Sequence, residues 1–429
     1  MATVGYIPFE PSSAGVEAGW LERAFDCRVL LAQNVPTLNL SRCDQLPDFD
    51  RLSAAAASLL PLRWIVAEGP GAFLWAAVLR AGGYRGGVTI LPYLNPRHWY
   101  DVACTACYRH FAAARDRVFL GSTPSARIYK ALGVNTGVGE PYGIDCDRFR
   151  PRPGAAAALD ELGIPRGRLL LFAGRAQPDK NIYRFLRVAL RARLLFSDLR
   201  IVIASHVVDE AYLSEVRRQL SPDHGVHIVI DPPPDQLADL YNAADVFATA
   251  ATSHFETFGR APAEALACGT PAVAPHYDGF AEVLAQPGGT LVDVEIVDDM
   301  PKVSEERMLR AIYDILSSPS PIPAGQIAEI AHSRFCRSHT IRLLKHVVAP
   351  APGDAAPVTI TPVDLSLPTP WIHELGLMAR LSPQDTLTRL WTSPLHQDLE
   401  TYNGRLRAAV RLGLCRSVCE PKGGPILCP

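Results

Sequence analysis

The chain has 429 residues, 48% of them hydrophobic and 20% charged, with a formal net charge of −2. That length exceeds what one hydrophobic core serves and suits two domains of ordinary size, and the composition is that of a folded globule. The near-neutral balance argues against a nucleic-acid binder, which carries a strongly basic face, and no apolar run approaches the roughly 18 residues that a membrane-spanning helix needs.

The N-terminal residues MATVGYIPFEP have neither a basic n-region nor a long apolar h-region. A secretory leader is therefore not expected, and a cytoplasmic location is. TVGYIP (3–8) reads as a first strand, followed by a turn at PSSAG (11–15) and a helix over VEAGWLERAF. WIVAE (64–68) is a second strand, with Gly69-Pro70-Gly71 and a helix through Arg80 behind it. VTILPYL (88–94) is a third and RVFLGST (117–123) a fourth, with Ser122 or Thr123 as a helix cap. Strands that alternate with helices imply parallel βαβ units.

GEPYGIDCDRFRPRPG (139–154), rich in Gly and Pro, reads as a hinge. A second alternating set follows, with strands at RLLLFAG, LRIVIAS, VHIVID and DVFATAAT and helices between them. Residues 304–348 have a helical pattern, 349–370 are Pro-rich and extended, and 371–414 are helical again. The ten cysteines are scattered. Cys104 and Cys107 have no second pair at zinc-site spacing and read as neighbours one helical turn apart. Cys415, Cys419 and Cys428 cluster near the C-terminus, where a cytoplasmic protein keeps thiols reduced and bridging remains open.

The most informative segment is ATSHFETFGRAPAEALACGTPAVAPHYDGFAEV (251–283). Two carboxylates, Glu256 and Glu264, stand eight positions apart around Phe258-Gly259 and an Ala-rich helical run. At about 1.5 Å of rise per residue, one acid lies in a loop at the helix entrance and the other about two turns inside. Such acids can grip two ends of an elongated polar ligand. GRAQPDKN (174–181) places Arg175 and Lys180 at the end of a strand and the start of a helix. Open α/β sheets bind ligands there, and two cations beside helix N-terminal amides suit a diphosphate.

GRAQPDK, LADLYNAADVFATAAT, FETFGRAPAEALACGTPAVA, DGFAEV and the hinge PYGIDCDRFRP together resemble the retaining family-4 glycosyltransferases, over about residues 139–283. The resemblance implies an α/β protein with two Rossmann-like doubly wound domains facing across a cleft (GT-B), here with a C-terminal helical extension. Residues 1–143 would be the acceptor domain, 144–330 the nucleotide-sugar donor domain, 331–348 a crossover helix, and 349–429 a Pro-rich linker and helical tail packing on the first domain.

By the same resemblance Arg175 and Lys180 are ligands of the donor diphosphate, stabilising charge on the leaving group. Glu256 contacts the donor sugar near the reacting carbon as an electrostatic and positioning residue. Glu264 holds the ribose hydroxyls, and Phe258 and Gly259 form a turn whose amides face the sugar or phosphates. Asp278 and Gly279 lie in another loop near the donor, and the base is met by backbone around Ile230 and Asp231. Family members commonly carry a Gly-rich loop after the first strand, where this chain has Gly15 alone, and a His just after the third, where His98 comes several residues late. His98 is open as that His, an acceptor contact or a surface residue. Glu10, Glu68 and Tyr93 stand at strand ends that can face an acceptor.

The expected co-substrate is a UDP or GDP sugar, with no metal cofactor. Asp145-Cys146-Asp147 is a D-x-D, but its place in the hinge marks it as structural. Arg184, Arg187, Arg191 and Arg193 read as a solvated helix face, and membrane contact is not expected. The acceptor is expected to be a small soluble compound such as an aminocyclitol or a thiol-bearing natural-product intermediate. A membrane-associated lipid or cell-wall glycan transferase, or a non-catalytic binding subunit of the same fold, are the rivals. The oligomeric state is not readable.

Overall fold

In the computed structural model the chain folds around two parallel sheets of six strands each, with a two-stranded antiparallel ribbon beside the second. The structure describes residues 2–8, 19, 21–23, 27–31, 49–69, 71–139, 143–207, 209–220, 225–298, 300–318, 321–348, 382–385, 388 and 399–419. It divides into two compact units, Met1–Pro141 with Thr340–Leu414, and Tyr142–His339 with Cys415–Pro429.

The first unit runs β1 (Ala2–Ile7), β2 (Cys27–Leu31), α1 (Phe49–Leu59), β3 (Trp64–Glu68), α2 (Ala72–Ala81), β4 (Gly87–Leu91), α3 (Trp99–Phe111), β5 (Arg117–Leu120), α4 (Thr123–Ala131) and β6 (Gly137–Val138). Its strands lie in the order β2-β1-β3-β4-β5-β6. All residues of β3 and β4 are buried, as helices on both faces of a parallel sheet require. Ser122 caps α4, its Oγ accepting from the Ser125 N–H at 3.2 Å, with Pro124 in the first turn. Cys104 and Cys107 are buried on α3.

The second unit runs α5 (Ala156–Glu161), β7 (Leu169–Ala176), a 3-10 turn (Pro178–Lys180), α6 (Ile182–Leu195), β8 (Arg200–Val207), α7 (Glu210–Arg218), β9 (Val226–Ile230), α8 (Pro234–Ala243), β10 (Val246–Ala248), α9 (Arg260–Ala267), β11 (Ala272–Pro275), α10 (Asp278–Val283), β12 (Gly289–Val292), the ribbon β13 (Val294–Val297) and β14 (Met300–Val303), α11 (Glu305–Ser317) and α12 (Ala324–Phe335). The sheet order is β12-β11-β10-β7-β8-β9, the doubly wound arrangement with its reversal between β7 and β10. One face is sealed by a cluster around Phe172, Phe185, Val188 and Ile312, the other by one around Tyr241, Phe247, Leu266 and Phe280. Each such side chain stabilises by about 1.5–3 kcal/mol when fully buried. α13 (Arg337–Val348) begins in this unit and passes into the first, and α14 (Leu399–Cys419) closes the described chain.

Three features differ from the sequence reading. β2, β6, β12 and the β13–β14 ribbon were not anticipated, because each is short and holds its shape by pairing with a partner strand. DVFATAAT forms a strand only over Val246–Ala248, since beyond it the chain leaves the sheet for the loop that carries Glu256. Gly15 and Glu10, the helix over 16–25 apart from a few positions, and nearly all of 349–398 lie outside the described residues. The third difference is a covalent bond: Cys146 and Cys336 form a disulfide, their Cα atoms 5.5 Å apart and 190 positions apart in sequence. The sequence reading had looked for bridges only in the C-terminal trio.

At the amino end of the first sheet a buried carboxylate organises its surroundings. Asp116 pairs with Arg80, accepts from the N–H groups of Val88 (3.2 Å) and Ala113 (3.0 Å), and accepts from the Tyr108 hydroxyl at 3.1 Å. Burial, reinforced by Asp116, holds the Tyr108 hydroxyl protonated far above its ordinary range. Removing one member of a buried, hydrogen-bonded ion pair strands the other charge, so Asp116→Ala should destabilise the protein by about 3–5 kcal/mol in urea unfolding.

Candidate functional site

The loops leaving the carboxyl ends of β7 and β10 diverge at the sheet reversal, which opens a crevice between them. β7 ends at Arg175-Ala176 and turns through Pro178–Lys180. Asn181, left-handed at φ 52°, then starts α6, and its side-chain N–H donates to the Ala250 carbonyl at 3.1 Å. That bond ties the β7 loop to the β10 loop. Across it, Lys180 Nζ donates to Glu256 Oε1 at 2.5 Å, and the Ser253 hydroxyl donates to the same oxygen at 3.2 Å. Glu256 is buried, where an ammonium and a carboxylate in contact satisfy each other far better than either alone. The Arg175 guanidinium lies over the Phe255 ring at 4.5 Å and 3.6 Å from the Asp179 carboxylate, with about a third of its side chain exposed.

Two glycines let the next two loops interlock. Gly259, at φ 96°, is the N-cap of α9, and a Cβ there would come within 2.8 Å of the Phe280 ring. Gly279 donates its N–H to the Glu256 carbonyl at 3.0 Å, and its Cβ would fall 2.6 Å from the Phe258 backbone. Asp278, fully buried at φ 40°, opens α10. The loops that follow β7, β10 and β11 thus bring Arg175, Lys180, Glu256, Phe258, Gly259, Asp278 and Gly279 near one another. The helix after Gly259 begins at Arg260, so Glu264 sits about one turn inside it rather than two, because Glu256–Gly259 remain loop. The Glu264 carboxylate accepts from the Tyr241 hydroxyl at 3.2 Å. Burial pushes its carboxyl up to about 7, against the opposing pull of Arg260 and the Tyr241 hydrogen bond.

Ile230 ends β9, two strands from β7, and is not among the residues brought into contact around Glu256. Asp231 beyond it is left-handed at φ 45°, and its carboxylate meets His206 Nδ1. His206 stands opposite Arg175 in the strand register. His206, Asp179 and Phe255 were not singled out from the sequence, although the first two follow strand ends that the pattern did show.

In the first unit the strand reversal lies between β1 and β3. There Glu68, buried at the carboxyl end of β3, accepts from the Tyr6 hydroxyl at 2.7 Å and the Tyr93 hydroxyl at 2.9 Å. Tyr93 takes a left-handed φ of 63° in doing so. Two of the expected acceptor residues are therefore joined, with Tyr6 as a third that the sequence did not reveal. His98 occupies the N-cap of α3 and donates its backbone N–H to Asp101 at 3.0 Å. In the D-x-D, Asp145 lies 3.3 Å from Arg148 and 3.5 Å from Arg337, and Cys146 is in the disulfide.

Residues 159–312 match the family model of glycosyl transferases group 1, a stretch that contains Arg175, Lys180, both glutamates and Asp278. The D-inositol 3-phosphate glycosyltransferase of Thermobispora bispora is 30% identical over 252 residues, 55% of this chain and 56% of that protein. Its counterpart in Segniliparus rotundus is 33% identical over 199 residues, 45% and 42% of the two chains. The chain spans about half the length of the curated relatives it matches. Among solved structures, Anabaena Alr3699/HepE in complex with UDP and glucose is similar at a TM-score of 0.64 and 15% identity, over 82% of this chain and all of that one. Sucrose-phosphate synthase from Thermosynechococcus elongatus is similar at 0.60 and 16%, over 81% and 98%. At such identities the likeness is one of fold, the pair of Rossmann-like domains termed GT-B.

Because the folded Glu264 carboxyl titrates near 7 and an unperturbed one near 4.5, the native state binds the extra proton between those values. Stability from this group is fully present below about 4.5 and is lost as pH rises through about 7. Glu264→Gln should remove that slope. Urea midpoints for parent and variant should converge at acid pH, with the variant ahead at pH 8.

Proposed function

We propose that the protein is a retaining glycosyltransferase that takes a sugar from a UDP or GDP sugar, binding that donor in the crevice of the second unit. The observation that carries this reading is the contact of Lys180 with Glu256 beside Arg175, at the strand reversal of a doubly wound sheet. As the bond to the departing diphosphate breaks, negative charge grows on its oxygens. Arg175 and Lys180 stand where two cations would neutralise that charge, and fixed charges of this kind lower the barrier because they need no rearrangement during reaction. The sugar left behind becomes cation-like at its reacting carbon, and the buried Glu256 carboxylate offers the complementary charge. Lys180 holds the Glu256 side chain in place until the donor's phosphates share the ammonium.

Glu264 supplies two acceptor oxygens for the hydroxyls of a ribose. Hydroxyls donate better to a carboxylate than to an acid, so donor binding draws the Glu264 proton off and strengthens as pH rises through about 7. The N–H groups at the start of α9, aimed past Gly259, suit phosphate or sugar oxygens. Phe258 and the Asp278-Gly279 loop shape the floor, and the backbone at Ile230 meets the base. The group needs no metal in this scheme, since the two cationic side chains do the neutralising.

The acceptor is proposed to be a small soluble compound, a natural-product intermediate such as an aminocyclitol or a thiol compound. Two curated relatives named for D-inositol 3-phosphate support a compact polyol of this size, and Glu68 between two tyrosine hydroxyls offers it hydrogen bonds. No described helix is long and apolar enough to cross a membrane.

The first test is a metal-free calorimetric screen against UDP, GDP, ADP, TDP and CDP. One nucleotide at 100 times its dissociation constant should stabilise the protein by about 2.7 kcal/mol; no response to any of the five overturns the donor site. With a turning-over substrate pair, Lys180→Ala should lower kcat by about 100-fold or more while KM for the donor moves far less, the pattern of an interaction made chiefly in the transition state. A rise in KM with kcat intact would make Lys180 a binding residue only.

A further inference from the structure

The disulfide lies where the second unit begins and ends. Cys146 follows its entry at Tyr142 by a few residues, and Cys336 precedes its exit at His339. Backbone bonds run alongside: the Ile144 N–H donates to the Phe335 carbonyl at 2.9 Å, and the Arg337 N–H to the Ile144 carbonyl at 3.2 Å. Phe335, the residue before Cys336, sets its ring edge-on to Phe258 with centroids 5.7 Å apart. One turn earlier on α12, His332 Nε2 donates to the carbonyls of Ala267, the last residue of α9, and of Phe149, both at 3.0 Å. The helix that ends at Phe335, just before Cys336, therefore braces both the Phe258 turn and the helix that carries Glu264.

Both sulfurs are only partly buried and lie with the His332 imidazole within 4.8 Å of one another. Arg337 adjoins Cys336 and reaches within 3.5 Å of Asp145. Cationic neighbours and solvent access are what make a thiol exchange readily. The other cysteines whose side chains are described, Cys27, Cys104, Cys107, Cys268 and Cys415, are buried, and burial pushes the Cys268 thiol up to about 12, away from the reactive thiolate.

We propose that Cys146 and Cys336 are a reversible thiol–disulfide modification site, whose oxidised form clamps Phe335 against Phe258 and so orders the crevice loop. The oxidant is a low-molecular-weight disulfide. One protein thiolate attacks it, forming a mixed disulfide and expelling one small thiolate. The second protein thiolate then attacks the protein sulfur of that bond and expels the other. Two protein thiols lose two protons and two electrons, and the small disulfide becomes two thiols. The proposal relies on the glycosyltransferase reading only for what the ordered loop binds.

The test needs no substrate. The full chain is equilibrated across a series of small thiol-to-disulfide ratios, the bond is located by mass spectrometry of linked peptides, and amide hydrogen exchange is followed at residues 256–260 and 278–280. A linked 146–336 pair should appear and vanish reversibly with the ratio. The reduced parent should exchange at those loops about tenfold faster, the local opening that loss of a tie permits. Cys146→Ser and Cys336→Ser should each match the reduced parent at every ratio. No linked pair at any ratio, or identical exchange in both states, overturns the proposal. So does retention of one zinc ion per reduced chain that Cys146→Ser or Cys336→Ser abolishes, which would make the cluster with His332 a metal site. A nucleotide screen that fails in both states counts against the donor reading and leaves this one standing.

Discussion

The contact between Lys180 and Glu256 is the constraint around which the second unit is arranged. Its partners come from loops that leave different strands in opposite directions, so it exists only because β7 and β10 are neighbours in the sheet. A carboxylate so little exposed would be costly alone. The ammonium and the Ser253 hydroxyl make the location tolerable, and the bond from Asn181 to the Ala250 carbonyl ties the two loops together beside it.

Close backbone approach does the rest of the positioning. Gly259 and Gly279 each stand where a Cβ would collide with the opposite loop, so the Glu256 turn and the Asp278 turn are locked together as a pair. The Gly279 N–H to the Glu256 carbonyl completes the lock on the backbone side. Behind it, Phe258 rests on Phe335, which precedes the disulfide at the unit's chain ends. The crevice loop is thus continuous in packing with a cross-link far away in sequence.

In both units the carboxylates that hold strand starts lie at one end of the sheet and the side-chain clusters around Glu68 and Glu256 at the other. At the amino ends, Asp116 accepts the Val88 N–H at the start of β4, and Asp245 accepts the Leu169 N–H at the start of β7 at 2.7 Å. At the carboxyl ends stand Glu68 with its two tyrosines, and Arg175, Lys180 and Glu256. In parallel sheets every strand points the same way, so the loops that follow the strands gather at one edge, and open sheets of this kind bind ligands there.

The sequence by itself determined the alternation of strands and helices and a cap at Ser122 or Thr123, and it singled out Arg175, Lys180, Glu256, Phe258, Gly259, Asp278 and Gly279, which the structure brings near one another. These were legible because they are local: periodicity, a capping hydroxyl, and short motifs at strand ends require no knowledge of distant partners. What only tertiary structure decided are the pairings. Tyr6 and Glu68 are 62 positions apart, Lys180 and Glu256 76, and Cys146 and Cys336 190. Likewise the short strands β2, β6 and β12 exist only through the neighbours they bond. Side chains so far apart in the chain meet because the sheet order brings strand ends together. That order is set by the burial of whole helix and sheet faces, which no short motif encodes.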